Sequence, residues 1–261
     1  MKIGMSLACF YPREPENVVS TAAELGIDQC EVFLNTFSEL EPRYLHSLRE
    51  TCDQAGIRVY SVHPFTSAIE NYFFFSPYPR RIADAKELYR RYAVAAEILG
   101  AGIVNIHGDR GLGLENYDQY VDCLKPLLAL QDETGIIFSL ENVFYNSVNH
   151  PEFAAKLRQG VRDVRFTFDV KQANKGNQDP YDVLNAMGNA IVNFHANDYD
   201  GEHICLLPGQ GVMDYKIVFS QLKSFGYNGP ALIEVYRYNF DDPTEIAKAK
   251  HHLENELMLA K

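Results

Sequence analysis

Short apolar or alternating runs recur along the chain, separated by longer segments with a different rhythm. The runs at 2–8, 29–34, 58–64, 103–107, 136–141, 164–169, 191–195 and 231–236 are short, many are rich in Val, Ile and Phe, and they predict eight strands. Between them apolar residues step by three and four, as in Ala85, Leu88, Tyr92, Ala96 and Leu99, and again in Tyr117, Val121, Leu124 and Leu128. That spacing gathers apolar groups on one face of a helix. Asp179-Pro180 and Asp242-Pro243 set a capping carboxylate before a first-turn proline where two helices should begin. Gly26, Gly56, Gly102, Gly135 and Gly160 stand just before apolar strands and are expected to mark helix ends.

The strand–helix unit repeats about every 30 residues without a break in composition. Eight such units predict an α/β fold, a closed (β/α)8 TIM barrel in which residues 1–261 form a single domain. An open doubly wound sheet would announce itself with a glycine-rich first turn, and Gly4-Met5-Ser6 offers none. The longest irregular stretch is expected at 66–79, after strand three and on the face where barrels carry their sites. Its aromatic run at 72–78 suits a lid, a contact in a homo-oligomer, or ordinary packing.

Charge narrows the partners. The chain has 24 Lys and Arg against 35 Asp and Glu, a net charge of −11, which works against nucleic acid and anionic membranes. Five widely spaced cysteines with no CxxC pair indicate neither a disulfide framework nor a cysteine zinc site, which fits a reducing cytoplasm. The apolar run at the N-terminus is short for a signal peptide, and no stretch of about 18 apolar residues follows.

In a barrel the C-terminal strand ends share one mouth. Here they carry His63, His107, Glu141, Asp169, His195 and Glu234 on six successive strands, with His203 in the loop after the seventh. A single such residue is usually a hydrogen-bonded structural group. Six together are hard to explain that way, because converging carboxylates repel one another unless a cation neutralises them. Carboxylates with imidazole suit a divalent ion such as Mn²⁺, Mg²⁺, Co²⁺ or Zn²⁺, and the absence of a thiolate argues against structural zinc. Glu31, Arg110, Lys171, Tyr236 and Arg237 are further polar groups expected near the mouth, with Arg110 and Arg237 the obvious phosphate candidates and Lys171 read as solvated.

The segments Ser61-Val62-His63-Pro64, Asn105-Ile106-His107-Gly108, Ser139-Leu140-Glu141-Asn142, Phe168-Asp169-Val170-Lys171-Gln172, His195-Ala196-Asn197-Asp198, His203 through Gly211, and Ile233-Glu234-Val235 together resemble the xylose isomerase-like barrel superfamily. The resemblance is to its sugar phosphate isomerase/epimerase branch, which includes tagatose epimerase-like enzymes and is related to endonuclease IV. It implies one metal, Mn²⁺ first among the candidates, held by Glu141, Asp169, His195 and Glu234. It also implies that Glu141 and Glu234 move a proton next to a carbonyl through a metal-bound enediolate, in epimerisation or ketose–aldose isomerisation of a small sugar-like substrate. His63, His107, Gln172, Asp198, His203, Lys171 and Arg237 are then the expected substrate contacts. Two departures stand out: Gln172 replaces a histidine common in the family, and Gly201 stands where the three-metal nuclease pattern needs an aspartate. A metal-dependent dehydratase or lyase on a keto-inositol or keto-glycoside is the alternative reading, ahead of a phosphodiesterase or a non-catalytic sugar-binding protein.

Overall fold

In the computed structural model, which describes residues 1–261, the strands are β1 (Ile3–Ser6), β2 (Gln29–Leu34), β3 (Arg58–Pro64), β4 (Ile103–Ile106), β5 (Ile137–Glu141), β6 (Arg165–Asp169), β7 (Ile191–Ala196) and β8 (Ala231–Ile233). Each pairs in parallel with the next, and β8 closes onto β1 through Ile3 with Ala231, Gly4 with Leu232 and Met5 with Ile233. The chain is a (β/α)8 barrel with helices around it.

Successive strand residues face opposite sides of a sheet, and the alternation separates two environments. Val104, Ile106, Leu140, Phe166, Phe168 and Phe194 are buried in the hydrophobic core shared with the helices. The positions between them are polar and equally buried: Asn105, Ser139, Thr167 and Asn193, each two residues before a strand-end His, Glu or Asp. Buried hydroxyls and amides are costly unless hydrogen-bonded. Accordingly Ser139 Oγ lies 2.8 Å from Thr167 Oγ1, and the Thr167 hydroxyl donates to Asn105. The interior is thus a polar layer beneath the mouth, where barrels more often carry branched aliphatic groups.

The helices follow the predicted spacing with adjustments. Pro79–Leu99 buries Ala85, Tyr92, Ala96 and Leu99, and Tyr89 beside them. Tyr117–Thr134 is rotated from the predicted face, because Tyr120, which packs on Phe153 at 4.8 Å, is fully buried while Tyr117, Val121 and Leu128 are only partly covered. Asp179 caps Pro180–Met187 by accepting from the Tyr181 amide at 2.8 Å, whereas the last helix is Thr244–Leu259, with Asp242 accepting from the Thr244 amide. Helix Pro79–Leu99 ends at Gly100, φ 74°, and not at Gly102, while Gly160 is the last helical residue of Pro151–Gly160. Much of the stretch expected to be irregular at 66–79 is instead two short helical segments, Phe65–Ile69 and Glu70–Phe73, anchored by Phe74 against Tyr89 at 5.0 Å. No helix is long and apolar enough to cross a membrane.

Candidate metal centre and active site

Glu141 and Asp169 end β5 and β6, His195 is the penultimate residue of β7, and Glu234 directly follows β8. Their positions bring one ligand atom from each to within 4.8 Å of all the others. His195 Nδ1 lies 3.2 Å from Glu234 Oε2, 3.6 Å from Asp169 Oδ2 and 3.9 Å from Glu141 Oε1, yet it has no hydrogen-bond partner. An orphaned buried nitrogen facing three carboxylates fits a divalent cation, and the donor set is the hard-to-borderline kind such an ion takes.

Neighbouring groups fix how Asp169 presents itself. Its Oδ1 accepts from Asn197 Nδ2 at 3.0 Å and from the Gln172 amide at 3.2 Å, so Oδ2 is the oxygen turned to His195. Asn142 brackets the Asp169 backbone, accepting from its N–H at 2.7 Å and donating to its carbonyl at 2.9 Å. The strand ends here because Asp169 also caps the short helix Val170–Lys175.

Lys171, read from sequence as solvated, is buried, and its ammonium donates to both Asp169 Oδ2 and Glu234 Oε2. Burial opposes its charge, but Asp169 and Glu234 outweigh that and raise its pKa well above the usual range. Burial likewise works against ionising Glu234 and Glu141. The charges of His195 and Lys171 nevertheless hold Glu234 well below the usual carboxylate range, as the neighbouring His195 and His63 imidazoles do for Glu141. Asp169 is pushed up, by burial above all. Beside them His63 Nε2 and His107 Nε2 stand 3.2 Å apart, both near Glu141 Oε2, at 3.5 Å and 3.6 Å. Burial depresses both imidazoles, but a hydrogen bond to Glu141 lifts His63 to about 9 while His107 falls to about 4.

Above this floor lies a cavity of about 500 Å³. His63, His107, Glu141, Lys171, Gln172 and Glu234 contribute its polar lining, while Tyr11, Phe33, Phe65 and Tyr236 form aromatic walls. Asp169 and His195 are fully buried and do not line it. A few convergent polar groups in an otherwise apolar recess are what a small-molecule site requires. Gln172 Oε1 accepts from the Phe144 amide at 3.2 Å, which leaves its NH₂ to donate.

Other expected contacts fall elsewhere. Asp198 is buried and its carboxylate accepts from the amides of Tyr199, Gly209, Gly211 and Met213, so it shapes the loop after β7. His203 is exposed and pairs with Asp200 at 3.1 Å. Arg237 donates to the Phe240 carbonyl at 2.7 Å, and Arg110 lies over the Tyr145 ring; neither lines the cavity. Tyr11, Asn35, Phe65 and Ser67, which do line it, were missed: Asn35 and Phe65 directly follow β2 and β3, but a search of strand ends for Asp, Glu and His passes over them. Glu31 is fully buried and absent from the lining, lying 3.2 Å from His195 Nε2.

The family model for the xylose isomerase-like TIM barrel matches residues 19–256. The chain belongs to this family. An uncharacterized protein of Mycobacterium leprae is 23% identical over 273 residues, covering 94% of this chain and 92% of its own length. The L-ribulose-5-phosphate 3-epimerase UlaE of Escherichia coli is 25% identical over 176 residues, which is 64% of this chain and 62% of UlaE. A crystal structure of a D-tagatose 3-epimerase-like protein superposes with a TM-score of 0.79 at 23% identity, covering 99% of this chain and 97% of the other, and establishes a shared fold.

Proposed function

We propose that this protein is a divalent-metal-dependent isomerase or epimerase of a small sugar or sugar derivative, acting by proton transfer at the carbon next to a carbonyl. The observation that carries this reading is the convergence of Glu141, Asp169, His195 and Glu234, with ligand atoms within 4.8 Å of one another, beside a cavity of about 500 Å³. The epimerase names borne by UlaE and by the D-tagatose 3-epimerase-like structure support it.

These four side chains would hold the ion, for which Mn²⁺ is our first choice ahead of Mg²⁺, Co²⁺ and Zn²⁺. When bound, it supplies Lewis-acid polarisation of a substrate carbonyl and the neighbouring hydroxyl. Glu141 and Glu234, kept ionised by their neighbours, are proton acceptors at rest. One of them takes the proton from the carbon beside the carbonyl. Its return from the same carboxylate to the adjoining carbon, with a proton shift between the two oxygens, interconverts ketose and aldose. Delivery to the opposite face by the second carboxylate, once that has drawn a proton from solvent or a substrate hydroxyl, inverts the centre. Lys171, His63, His107 and Gln172 bind and orient the hydroxyls, and the aromatic walls exclude water. Asp198, His203 and Arg237 have no part in this reading.

The test is metal analysis of the purified protein, followed by incubation of the Mn²⁺-loaded form in D₂O with D-tagatose and L-ribulose 5-phosphate. Deuterium should enter at carbon without other change of mass, and Glu234→Gln should slow that exchange roughly 10²–10⁴-fold. Failure to bind any divalent ion, or unimpaired exchange by Glu234→Gln, overturns the reading. Loss of water or of an aglycone would instead assign dehydratase or lyase chemistry on a keto-inositol or keto-glycoside.

A further inference from the structure

We propose that Glu31 is the positioning residue of the cation site: it keeps the His195 proton on Nε2, so that the Nδ1 lone pair is presented to the metal. The inference rests on the metal-binding reading above and extends it to a residue that touches neither the ion nor the cavity.

Glu31 lies on β2, in the apolar run Cys30-Glu31-Val32, and its side chain is fully buried inside the barrel. An ionisable group is an expensive way to fill that space, and an aliphatic one would be the ordinary choice. Its surroundings consist of donors from three other strands. Oε2 accepts from Ser61 Oγ at 2.7 Å and from Asn193 Nδ2 at 3.1 Å, and faces His195 Nε2 at 3.2 Å. Oε1 accepts from Ser6 Oγ at 3.4 Å.

An ionised carboxylate only accepts hydrogen bonds, so the imidazole nitrogen facing it is satisfied only as N–H. Asn193 cannot take that role, because the atom it turns to His195, at 3.3 Å, is its own amide nitrogen. With the proton assigned to Nε2, the metal-loaded ring has its lone pair on Nδ1. That is the buried nitrogen without a hydrogen-bond partner, 3.2 Å to 3.9 Å from the three other members of the cation site. One edge of the ring is therefore set by Glu31 and the other by the ion. A carboxylate behind a metal-bound histidine fixes both tautomer and orientation and makes the ring a stronger ligand. Glu31 also reaches His195 from the far side of the barrel interior, so the site depends on a strand that supplies none of its ligands.

Full-length, metal-free protein is titrated calorimetrically with Mn²⁺, and a [¹⁵N]histidine sample is loaded with diamagnetic Zn²⁺ for NMR. Glu31→Gln, folded by circular dichroism, should bind Mn²⁺ ten- to a hundredfold more weakly than the parent. In the Zn²⁺-loaded parent the His195 Nε2 proton should resonate well downfield and exchange slowly, as donation to a buried carboxylate requires and a merely space-filling role for Glu31 would not. Equal Mn²⁺ affinity in parent and variant, a His195 proton on Nδ1, or an Nε2 proton with neither the downfield shift nor the slow exchange, overturns the proposal. Should Glu31→Gln fail to fold, the NMR measurement on the parent still decides. A parent that binds neither ion removes the metal site itself and this inference with it, an outcome distinct from a metal-binding parent with an indifferent variant.

Discussion

At the scale of the residue, Lys171 shows that neighbours, rather than side-chain type, decide where a charge resides. A lysine two positions beyond a strand end is ordinarily solvated, because desolvating an ammonium costs several kcal/mol. Here buried Asp169 and largely covered Glu234 supply the compensating charge, so the ammonium is drawn between them. It uses the same Asp169 Oδ2 and Glu234 Oε2 that face His195 Nδ1. Lys171→Met should therefore destabilise the metal-free protein by roughly 3 kcal/mol, as breaking a buried ion pair does. With saturating Mn²⁺ the loss should be much smaller, because the ion replaces the missing charge. Urea unfolding with EDTA and with Mn²⁺ measures both, and an equal loss in the two conditions would show that ammonium and ion do not share those carboxylates. Gln172 was visible in the sequence as a departure from a family pattern and Lys171 as a charge near the mouth, but only the fold shows that Lys171 is buried.

Among the elements, the segment after β3 departs most from what the sequence predicts. Its turns of five and four residues, Phe65–Ile69 and Glu70–Phe73, are too short to display a helical period, so pattern reading sees only an irregular aromatic stretch. Glu70 pins it in place. Its carboxyl accepts from the Tyr89 hydroxyl and from the Gly108 amide at 2.7 Å, joining this segment to helix Pro79–Leu99 and to the loop after β4. Burial, only partly offset by those hydrogen bonds, raises the Glu70 carboxyl from 4.5 to about 7. The folded chain thus holds a proton there that the unfolded chain releases above about pH 4.5. The stability this contributes is fully present below the unfolded value and is lost as pH rises through the folded one. The stability difference between parent and Glu70→Gln should accordingly shift against the parent by roughly 2–3 kcal/mol between about pH 5 and pH 8. Urea unfolding of both proteins across that range measures the shift, and a flat difference would mean that Glu70 is ionised throughout.

Over the whole molecule, barrel closure brings residues distant in the chain to one point. Where the barrel closes, β1 admits little bulk at Gly4, whose Cβ would lie 2.4 Å from the Gln29 carbonyl oxygen of β2 and 2.8 Å from a Leu232 methyl of β8. Gly4→Ala should cost roughly 2–3 kcal/mol of global stability by overpacking, read as a lower urea midpoint. A neutral substitution would show that the seam yields. Strand number, parallel order and the row of strand-end acidic and histidine side chains were legible in the sequence, because period two and period 3.6 are local properties that the chain carries wherever it folds. Position picked out Glu141, Asp169, His195 and Glu234 together with His63 and His107, and the family resemblance singled out the four. Only the tertiary structure decided that Glu31 backs His195, that Lys171 lies among the carboxylates, and that Asp198 and Arg237 lie outside the cavity. Those outcomes depend on which side chains meet across a closed barrel, and residues on opposite strands acquire a distance only when the last strand joins the first.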